Sequence, residues 1–502
     1  VATNIRDGDL IAAVDIGSNS FHLIVARYEH GGLRQIDRLR DSVRMAAGLR
    51  PDGTLDAAHR ERALACLARF GQRLRAIPSD RVYAVATNSV RRLANPAAFL
   101  LPAETALGHP IEIVSGREEA RLTYLGVAHD LARSSEPRLV VDIGGGSTEF
   151  IIGRDFEALE TESLQAGCVA STLRFFADGR FTASRWRTAQ TEIAIEMQQF
   201  AADYLARGWS ESFGSSGTAK AIGSIVQANG WCENGISATA LAELRDAILA
   251  AGHVDRLQLA GLAGDRTPII AGGVAILEAV FATFGIEHMG VCETGMREGL
   301  LYDLVGPAMH GDPRAGSIEA LASRYSVDRA QATRVRWAAL TLFDHVAENW
   351  QLGAVERDML GWAADIHEIG LAIAHSQHHV HGAYIVAHSD LAGFGRQAQQ
   401  SLAAIVRSHR RKPDRGSIEA LPERLRMPVR RLTVLLRLAA LLERARNPEP
   451  LPDLRISADG KSLRLVLPES WLDRHPLTRA DLEQERDYCK ILDVKLQIGS
   501  LD

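Results

Sequence analysis

The sequence predicts an α/β protein whose two similar halves face each other across a cleft. An all-helical domain and a small α+β domain follow. Three observations carry this reading. Two segments, LIAAVDIGSNSFHLIVARYEHGGLRQIDRL and RLVVDIGGGSTEFIIGRDFEALETESL, repeat one grammar at an offset of 127 residues. Helical and extended stretches alternate as far as Gly306-Pro307, which suits mixed sheets covered by helices. Residues 315–446 are then nearly all helical in period and rich in Ala, Leu, Arg and His.

In each repeat an apolar run ends in Asp-Ile-Gly. A turn of small residues, an alternating strand, a second turn and a third strand follow. Aligning Asp15 with Asp142 also aligns Gly17 with Gly144 and Ser20 with Ser147. A unit of this length exceeds a solenoid repeat, so it points to two like domains with both turns in the cleft between them. Residues 57–77 are apolar at helical spacing, 82–87 form a strand, and a helix begins at 118–131. Residues 185–207 and 239–251 read as helices of the second half. From Leu454 onward, ISADGKSLRLVLP is a hairpin turning at Asp459-Gly460. The expected domains are residues 1–124, 125–308, 309–446 and 447–502.

A chain of 502 residues, 46% hydrophobic, 24% charged and 6% aromatic, with a net charge of −5, excludes collagen-like and wholly disordered classes. No uninterrupted run of 18 apolar residues exists, so no membrane-spanning helix is expected. The nearest, residues 268–286, is interrupted by Gly272-Gly273 and Glu278. The N-terminus lacks the basic start and cleavage site of a signal peptide. It also lacks an initiator Met, as a processed or trimmed chain would. Five cysteines, none CxxC-spaced, fit reduced thiols in a cytoplasmic protein without a thiolate zinc site.

The two DIG turns carry the chemistry. Without bulky Cβ atoms, backbone N–H groups can close around phosphate oxygens. Asp15, Asp142 and Glu149 can offer carboxylate oxygens to a hard cation. A plain hairpin turn explains either loop alone, but explains two in duplicated halves less well. A third small-residue loop, Gly214-Ser215-Ser216-Gly217-Thr218, precedes a helix containing Lys220, where free N–H groups favour anions. Gly272-Gly273 allows either close approach of a phosphate or nucleotide, or close backbone packing.

DIGSNSFHL, ATNSVRR, SGREEARLTYLGV, DIGGGSTEF, GSSGTAKAI and AGGVAIL, in that order, resemble the exopolyphosphatase / guanosine pentaphosphate phosphohydrolase family. HEIGLAIAHSQHHVHGAYIVAHSDLAGF resembles its long bacterial members, so the likeness covers nearly the whole chain. The resemblance implies two actin-like (ribonuclease H-like) domains, then an HD-like helical domain. It implies that Glu119 activates the attacking water, that Arg91 faces the phosphate, and that Asp142 and Glu149 serve the metal and the water. Asp15 is a further metal-side carboxylate. The phosphates are expected on Ser18, Asn19, Ser20, Gly144, Gly145, Gly146, Ser147 and Thr148, and on Gly214, Ser215, Ser216 and Gly217. Neighbouring helix residues point apart, so Glu118 is expected to be a solvated or helix-start charge and Arg92 a surface charge. The implied reaction is exopolyphosphatase hydrolysis by direct attack of water, with Mg²⁺ or another hard divalent cation and K⁺ as a secondary candidate. Guanosine pentaphosphate 5′-phosphohydrolase activity is the alternative; an ATPase or kinase of the same fold and a non-catalytic sensor stand further off. A homodimer is a further expectation from the resemblance.

Six of the 17 histidines lie between His367 and His388. An HD metal centre uses a His-Asp pair, whereas this chain has His367-Glu368, so packed or phosphate-touching histidines are expected rather than a second metal site. Residues 407–446 carry twelve basic residues against four acids. Concentrated positive charge attracts long polyanions. RSHRRKPDR has no aromatic residues on which bases could stack, which favours polyphosphate over nucleic acid. Arg407, His409, Arg410, Arg411 and Lys412 are the expected guides. Charge-neutral substitutions at Arg410, Arg411 and Lys412 should then weaken long-chain binding more than short-chain turnover.

Overall fold

The computed structural model describes residues 5–29, 32–131, 134, 136–309, 313–389, 391, 393–446 and 451–501. The chain forms two compact units, Thr3–Gly311 and Asp312–Asp502.

The unit Thr3–Gly311 holds two mixed sheets. The first runs β3-β2-β1-β4-β5, from β1 (Leu10–Ile16), β2 (Phe21–Glu29), β3 (Gly32–Asp41), β4 (Val82–Ala86) and β5 (Ile111–Ile113). The second runs β10-β11-β9-β6-β7-β8, from β6 (Arg138–Ile143), β7 (Thr148–Arg154), β8 (Glu157–Leu164), β9 (Glu211–Ser215), β10 (Ile236–Ser237) and β11 (His288–Val291). The repeat seen in the sequence is a repeat of topology. β1 lies between antiparallel β2 and parallel β4, and β6 between antiparallel β7 and parallel β9. Even the bulge recurs, after Val25 in the first sheet and after Ile152 in the second, at the same offset as the two aspartates.

Both sheets are covered on both faces, which is why their central strands read as continuous apolar runs. Ala12, Val14 and Ile16 face one core with Phe21 and Leu67, while Ile11 and Ala13 face another with Leu300 and Leu304. The helix Gly116–Asp130 serves both sheets. Its Leu122 enters the core of the first, and its Ala120, Tyr124 and Val127 pack on Val140 and Ile151 of the second. Ser115 starts this helix, its Oγ accepting from the Glu118 N–H at 3.1 Å.

Thr267–Phe284 is the one segment among the described residues long and apolar enough to cross a membrane, and 67% of it is buried inside the protein. The charge within it, Glu278, accepts from Trp186 Nε1 at 2.7 Å, Gln190 Nε2 at 2.8 Å and Arg245 Nη1 at 2.7 Å. All five cysteines are free thiols.

In the unit Asp312–Asp502, the helices Pro313–Arg324, Arg329–Val346, Ala354–Ile366, His378–His388, Arg396–Ser408 and Glu423–Leu442 precede a three-stranded sheet. β12 (Arg455–Asp459) and β13 (Ser462–Pro468) form the expected hairpin, closing at Gly460 with φ 55°. β14 (Lys495–Leu501) then joins β13 in parallel after the helix Pro476–Ile491. A parallel return needs such a crossover, and the sequence did not announce it. The expected boundary at 447 lies outside the described residues.

Candidate active site

The two DIG loops are four-residue connections, Gly17 to Ser20 between β1 and β2 and Gly144 to Ser147 between β6 and β7. Their carbonyls are held from behind. Ser18 O and Asn19 O accept from the Ala46 and Arg44 N–H groups at 2.9 and 2.8 Å; Gly144 O and Gly145 O accept from Cys168 and Val169 at 2.9 and 3.0 Å. In a trans peptide the C=O and the next N–H point oppositely. The N–H groups of Asn19, Ser20, Gly145 and Gly146 are therefore turned to the other side. The loops meet closely there. A Cβ on Gly146 would lie 2.6 Å from Asn88 Oδ1 and 3.1 Å from Ser18 Oγ, and one on Gly145 would lie 3.4 Å from Asn19 Cβ. Any side chain at these positions would fill the gap between the halves.

That gap is a cavity of ≈ 150 Å³. Asp15, Ser18, Asn19, Ser20, Glu119, Asp142, Gly144, Gly145, Gly146, Ser147, Glu149, Ser215, Ser216 and Gly217 line it. Most residues singled out in the sequence thus converge. Arg91, Thr148 and Gly214 do not line it. Thr148 is fully buried and donates through Oγ1 to Ala166 O at 2.5 Å. Gly214 lies within β9, where a Cβ would come 2.9 Å from that of Ala219. Arg91 stands behind Glu119, donating through Nη1 to Glu119 Oε2 at 2.9 Å and to Val114 O at 2.7 Å. Its Nη2 is buried without a hydrogen-bond partner.

Glu118 turns away from its neighbour, as helix geometry requires, but it is not solvated. It is 2% exposed and accepts from Arg121 at 2.9 and 2.7 Å, and Arg121 also reaches Asp303 at 2.7 Å. Arg92 is exposed. Gly272 and Gly273 sit in the buried helix Ile270–Phe284, where a Cβ would meet Cys168 O at 2.5 Å at the first and collide with Thr218 at the second. Helix packing is their role here.

Four carboxyl groups face one another, and each is shifted towards its protonated form. Burial pushes Asp15 up to about 7 against the pull of Arg297, and Glu119 and Asp142 add to the rise. Burial and Glu119 push Asp142 up to about 6. Glu149 is raised further by burial, Glu119 and Asp142. Burial also raises Glu119, opposed by Arg91. Asp142 and Glu149 are directly opposed across the β6–β7 ladder, an arrangement of like charges that destabilises a sheet. Such repulsion is tolerated where a cation resolves it.

Asp15 Oδ1 is buried without a partner, so the donor set has a free hard oxygen. No three His, Cys, Asp or Glu side chains among the described residues form a ready metal cage.

The sequence reading missed several lining residues: His22, Thr87, Thr123, Arg266, Thr294 and Arg297. His22 was within reach of it. It opposes Asp15 on the β1–β2 ladder as Glu149 opposes Asp142 on β6–β7, at the repeat offset. Arg297 Nη1 lies 3.0 Å from His22 Nδ1. Burial, with Arg297, Arg40, Arg38 and Arg266 nearby, holds the His22 imidazole neutral. Lys220 pairs with Glu293 at 2.9 Å. Of the expected polyanion guides, Arg407 pairs with Asp414 at 3.1 Å, and Lys412 is exposed. His409, Arg410 and Arg411 line a separate cavity of the unit Asp312–Asp502.

Residues 24–307 match the Ppx/GppA phosphatase family, and residues 314–486 match domain III of the same family. The chain is 38% identical over 484 residues to a guanosine-5′-triphosphate,3′-diphosphate pyrophosphatase of Aeromonas hydrophila subsp. hydrophila, covering 96% of this chain and 97% of that relative. A protein of the same name from Pseudoalteromonas translucida is 36% identical over 478 residues, covering 95% and 96%. Among solved structures, an exopolyphosphatase from Cytophaga hutchinsonii shares the fold with a TM-score of 0.54 at 22% identity, over 59% of this chain and 98% of that one. The Aquifex aeolicus PPX-GPPA enzyme shares it with a TM-score of 0.50 at 24% identity, over 58% and 98%. The sheets of the first unit are therefore actin-like domains, and the chain belongs to the Ppx/GppA phosphatase family, a phosphatase that acts on phosphoanhydride bonds.

Proposed function

We propose that this protein removes the terminal phosphate of guanosine pentaphosphate by direct attack of water. The observation that carries this reading is the full-length likeness, at 36–38% identity, to proteins named as guanosine-5′-triphosphate,3′-diphosphate pyrophosphatases. The cluster of Arg38, Arg40, Arg266 and Arg297 around His22 supports it, since positive charge beside the cavity suits a substrate with a second anionic group.

In this reading the N–H groups of the two DIG loops hold the terminal phosphates, donors fixed in place before the reaction. Glu119 accepts the proton of the attacking water. Its raised pKa makes it a stronger base than an exposed carboxylate, and Arg91 keeps its Oε2 oriented. Arg91 acts from behind Glu119 as a positioning residue, holding the base through Nη1 while that nitrogen is anchored on Val114 O. Asp142, Glu149 and Asp15 would hold Mg²⁺ or another hard divalent cation, with K⁺ as a secondary candidate. When bound, that cation spreads the charge of the transferring phosphoryl group. No Ser, Cys or His acts as a nucleophile.

Exopolyphosphatase activity is the second reading. It is favoured by the excess of basic residues over acids between 407 and 446.

Phosphate release from guanosine pentaphosphate, long-chain polyphosphate and ATP, compared side by side, tests the proposal. Guanosine pentaphosphate should be turned over fastest, and Glu119→Gln should lower that rate about 10²- to 10⁴-fold. Faster release from polyphosphate would transfer the assignment to the second reading. An unaffected Glu119→Gln variant would remove Glu119 as the base.

A further inference from the structure

The unit Asp312–Asp502 contains a second cavity, of ≈ 450 Å³, lined by five arginines and three carboxylates. Three of the arginines are matched. Arg437 pairs with Glu485 at 3.0 Å, Arg444 with Asp481 at 2.6 Å, and Arg446 with Glu368 at 2.7 Å. Arg410 and Arg411 are left over. Arg410 is partly buried, and its hydrogen-bond partner is the His378 ring, at 3.0 and 3.3 Å. Burial and the repulsion of Arg411 and Arg444 push its pKa down. Arg411 holds φ 57°, a left-handed conformation that a non-glycine residue adopts at a cost. Arg410 is partly desolvated without a carboxylate partner, and an anion shared with the adjacent, exposed Arg411 would supply one.

Imidazoles line the same cavity. The Nδ1 atoms of His367 and His409 lie 2.7 Å from the carbonyl oxygens of Ala364 and Val406. A carbonyl only accepts, so Nδ1 carries the proton and Nε2 keeps a lone pair. The ring centroids of His367 and His378 are 5.4 and 5.6 Å from that of His409. Such lone pairs can also serve a transition metal, but charge and geometry decide against it. A dication would sit beside Arg410 and Arg411, and these rings do not form a metal-holding group.

Leu371, Leu441 and Tyr488 add apolar surface to the lining, and the Tyr488 ring lies under the Arg437 guanidinium at 5.0 Å. Small-molecule pockets are about 300–1,000 Å³, so this cavity has room for more than a phosphate ion.

We propose that this cavity binds a small organic phosphomonoester, with its phosphoryl group on Arg410 and Arg411 and its organic body against Leu371, Leu441 and Tyr488. The two unmatched guanidinium groups balance one phosphomonoester, which carries about −1.5 to −2 at neutral pH. A long polyphosphate would bring far more charge than the cavity can match. Glu368, Arg446, His378, His379 and Arg410 are the charged or titratable groups around the His367 and His409 rings, which burial holds neutral. The assignment is independent of which substrate the first unit hydrolyses.

Hydrogen–deuterium exchange on the full chain with adenosine 5′-monophosphate as the probe localises binding. Residues 367–380 and 405–411 should gain protection, and orthophosphate should protect them more weakly. Arg410→Gln with Arg411→Gln should weaken the protection at least about tenfold in probe concentration. Tyr488→Leu, which keeps this surface apolar, should weaken the monophosphate effect and leave the orthophosphate effect unchanged. No protection of either segment, protection that survives the double substitution, or protection by long-chain polyphosphate but not by the monophosphate would each overturn the proposal.

Discussion

Arg91 and Glu119 form the pair on which the proposed chemistry turns. Arg91 grips Val114 O and Glu119 Oε2 from one nitrogen and leaves the other free. A lysine ammonium, on a shorter and more flexible stem without the planar guanidinium, would not hold the Glu119 carboxylate in that position. Arg91→Lys should therefore lower kcat by roughly 10- to 100-fold, the worth of about 1.5–3 kcal/mol for a hydrogen bond to a charged group. Steady-state kinetics on the preferred substrate would check it, and a loss confined to KM would contradict it. Asp15 gives a second prediction at this scale. Its pKa in the fold, about 7, exceeds its ordinary value of 3.8, so the folded state binds the proton more tightly than the unfolded one does. Its ionisation therefore costs stability progressively as pH rises between those values. In metal-free protein, Asp15→Asn should stabilise by on the order of 1–3 kcal/mol near pH 8 and by little near pH 4. Thermal unfolding at both pH values would show it; a gain equal at both would point to another cause. Arg91, Glu119 and Asp15 were all legible as chemical residues in the motifs. Their couplings were not, because burial and partners 23 or more residues away set them.

At the scale of elements, the helix Gly116–Asp130 decides where Glu119 stands. It passes the helix Met296–Met309 at glycines. A Cβ on Gly126 would collide with Gly295 O, and one on Gly299 with Leu122 O. These neighbours are backbone and cannot swing aside. Gly126→Ala and Gly299→Ala should each destabilise by about 1–3 kcal/mol through overpacking. They should also depress kcat, since the helix that carries Glu119 must shift. Denaturation and kinetics on the same preparations would check both, and a variant with unchanged stability would show that the helices part without strain. The hairpins and their turns could be read directly, because alternation and small-residue turns are local signals. The same signals could not separate Gly145 and Gly146, at the mouth of the cavity, from Gly214, which serves strand packing. Local sequence looks alike at all three, and only their neighbours differ.

For the whole molecule, every residue lining the candidate active site lies between Asp15 and Arg297, within the unit Thr3–Gly311. A fragment of residues 1–311 should therefore hydrolyse guanosine pentaphosphate with a kcat within about tenfold of the full chain. Loss of activity in a folded fragment would mean that the unit Asp312–Asp502 contributes to the site. What the sequence determined by itself is the duplicated α/β plan, the paired loops, the helical second unit and the carboxylates that the fold gathers around one cavity. These follow from periodicity, from turn residues and from a repeat whose offset even predicts that His22 corresponds to Glu149. The tertiary structure alone decided which of the small-residue loops share one cavity, that Glu118 is an internal ion pair, and that Gly272-Gly273 is a helix contact. It alone left Arg410 and Arg411 unmatched while the other arginines of their cavity found carboxylates. The physical reason is one of distance. Periodicity is written between neighbours in the chain, whereas burial, pKa shifts and charge balance arise between residues that only folding brings together.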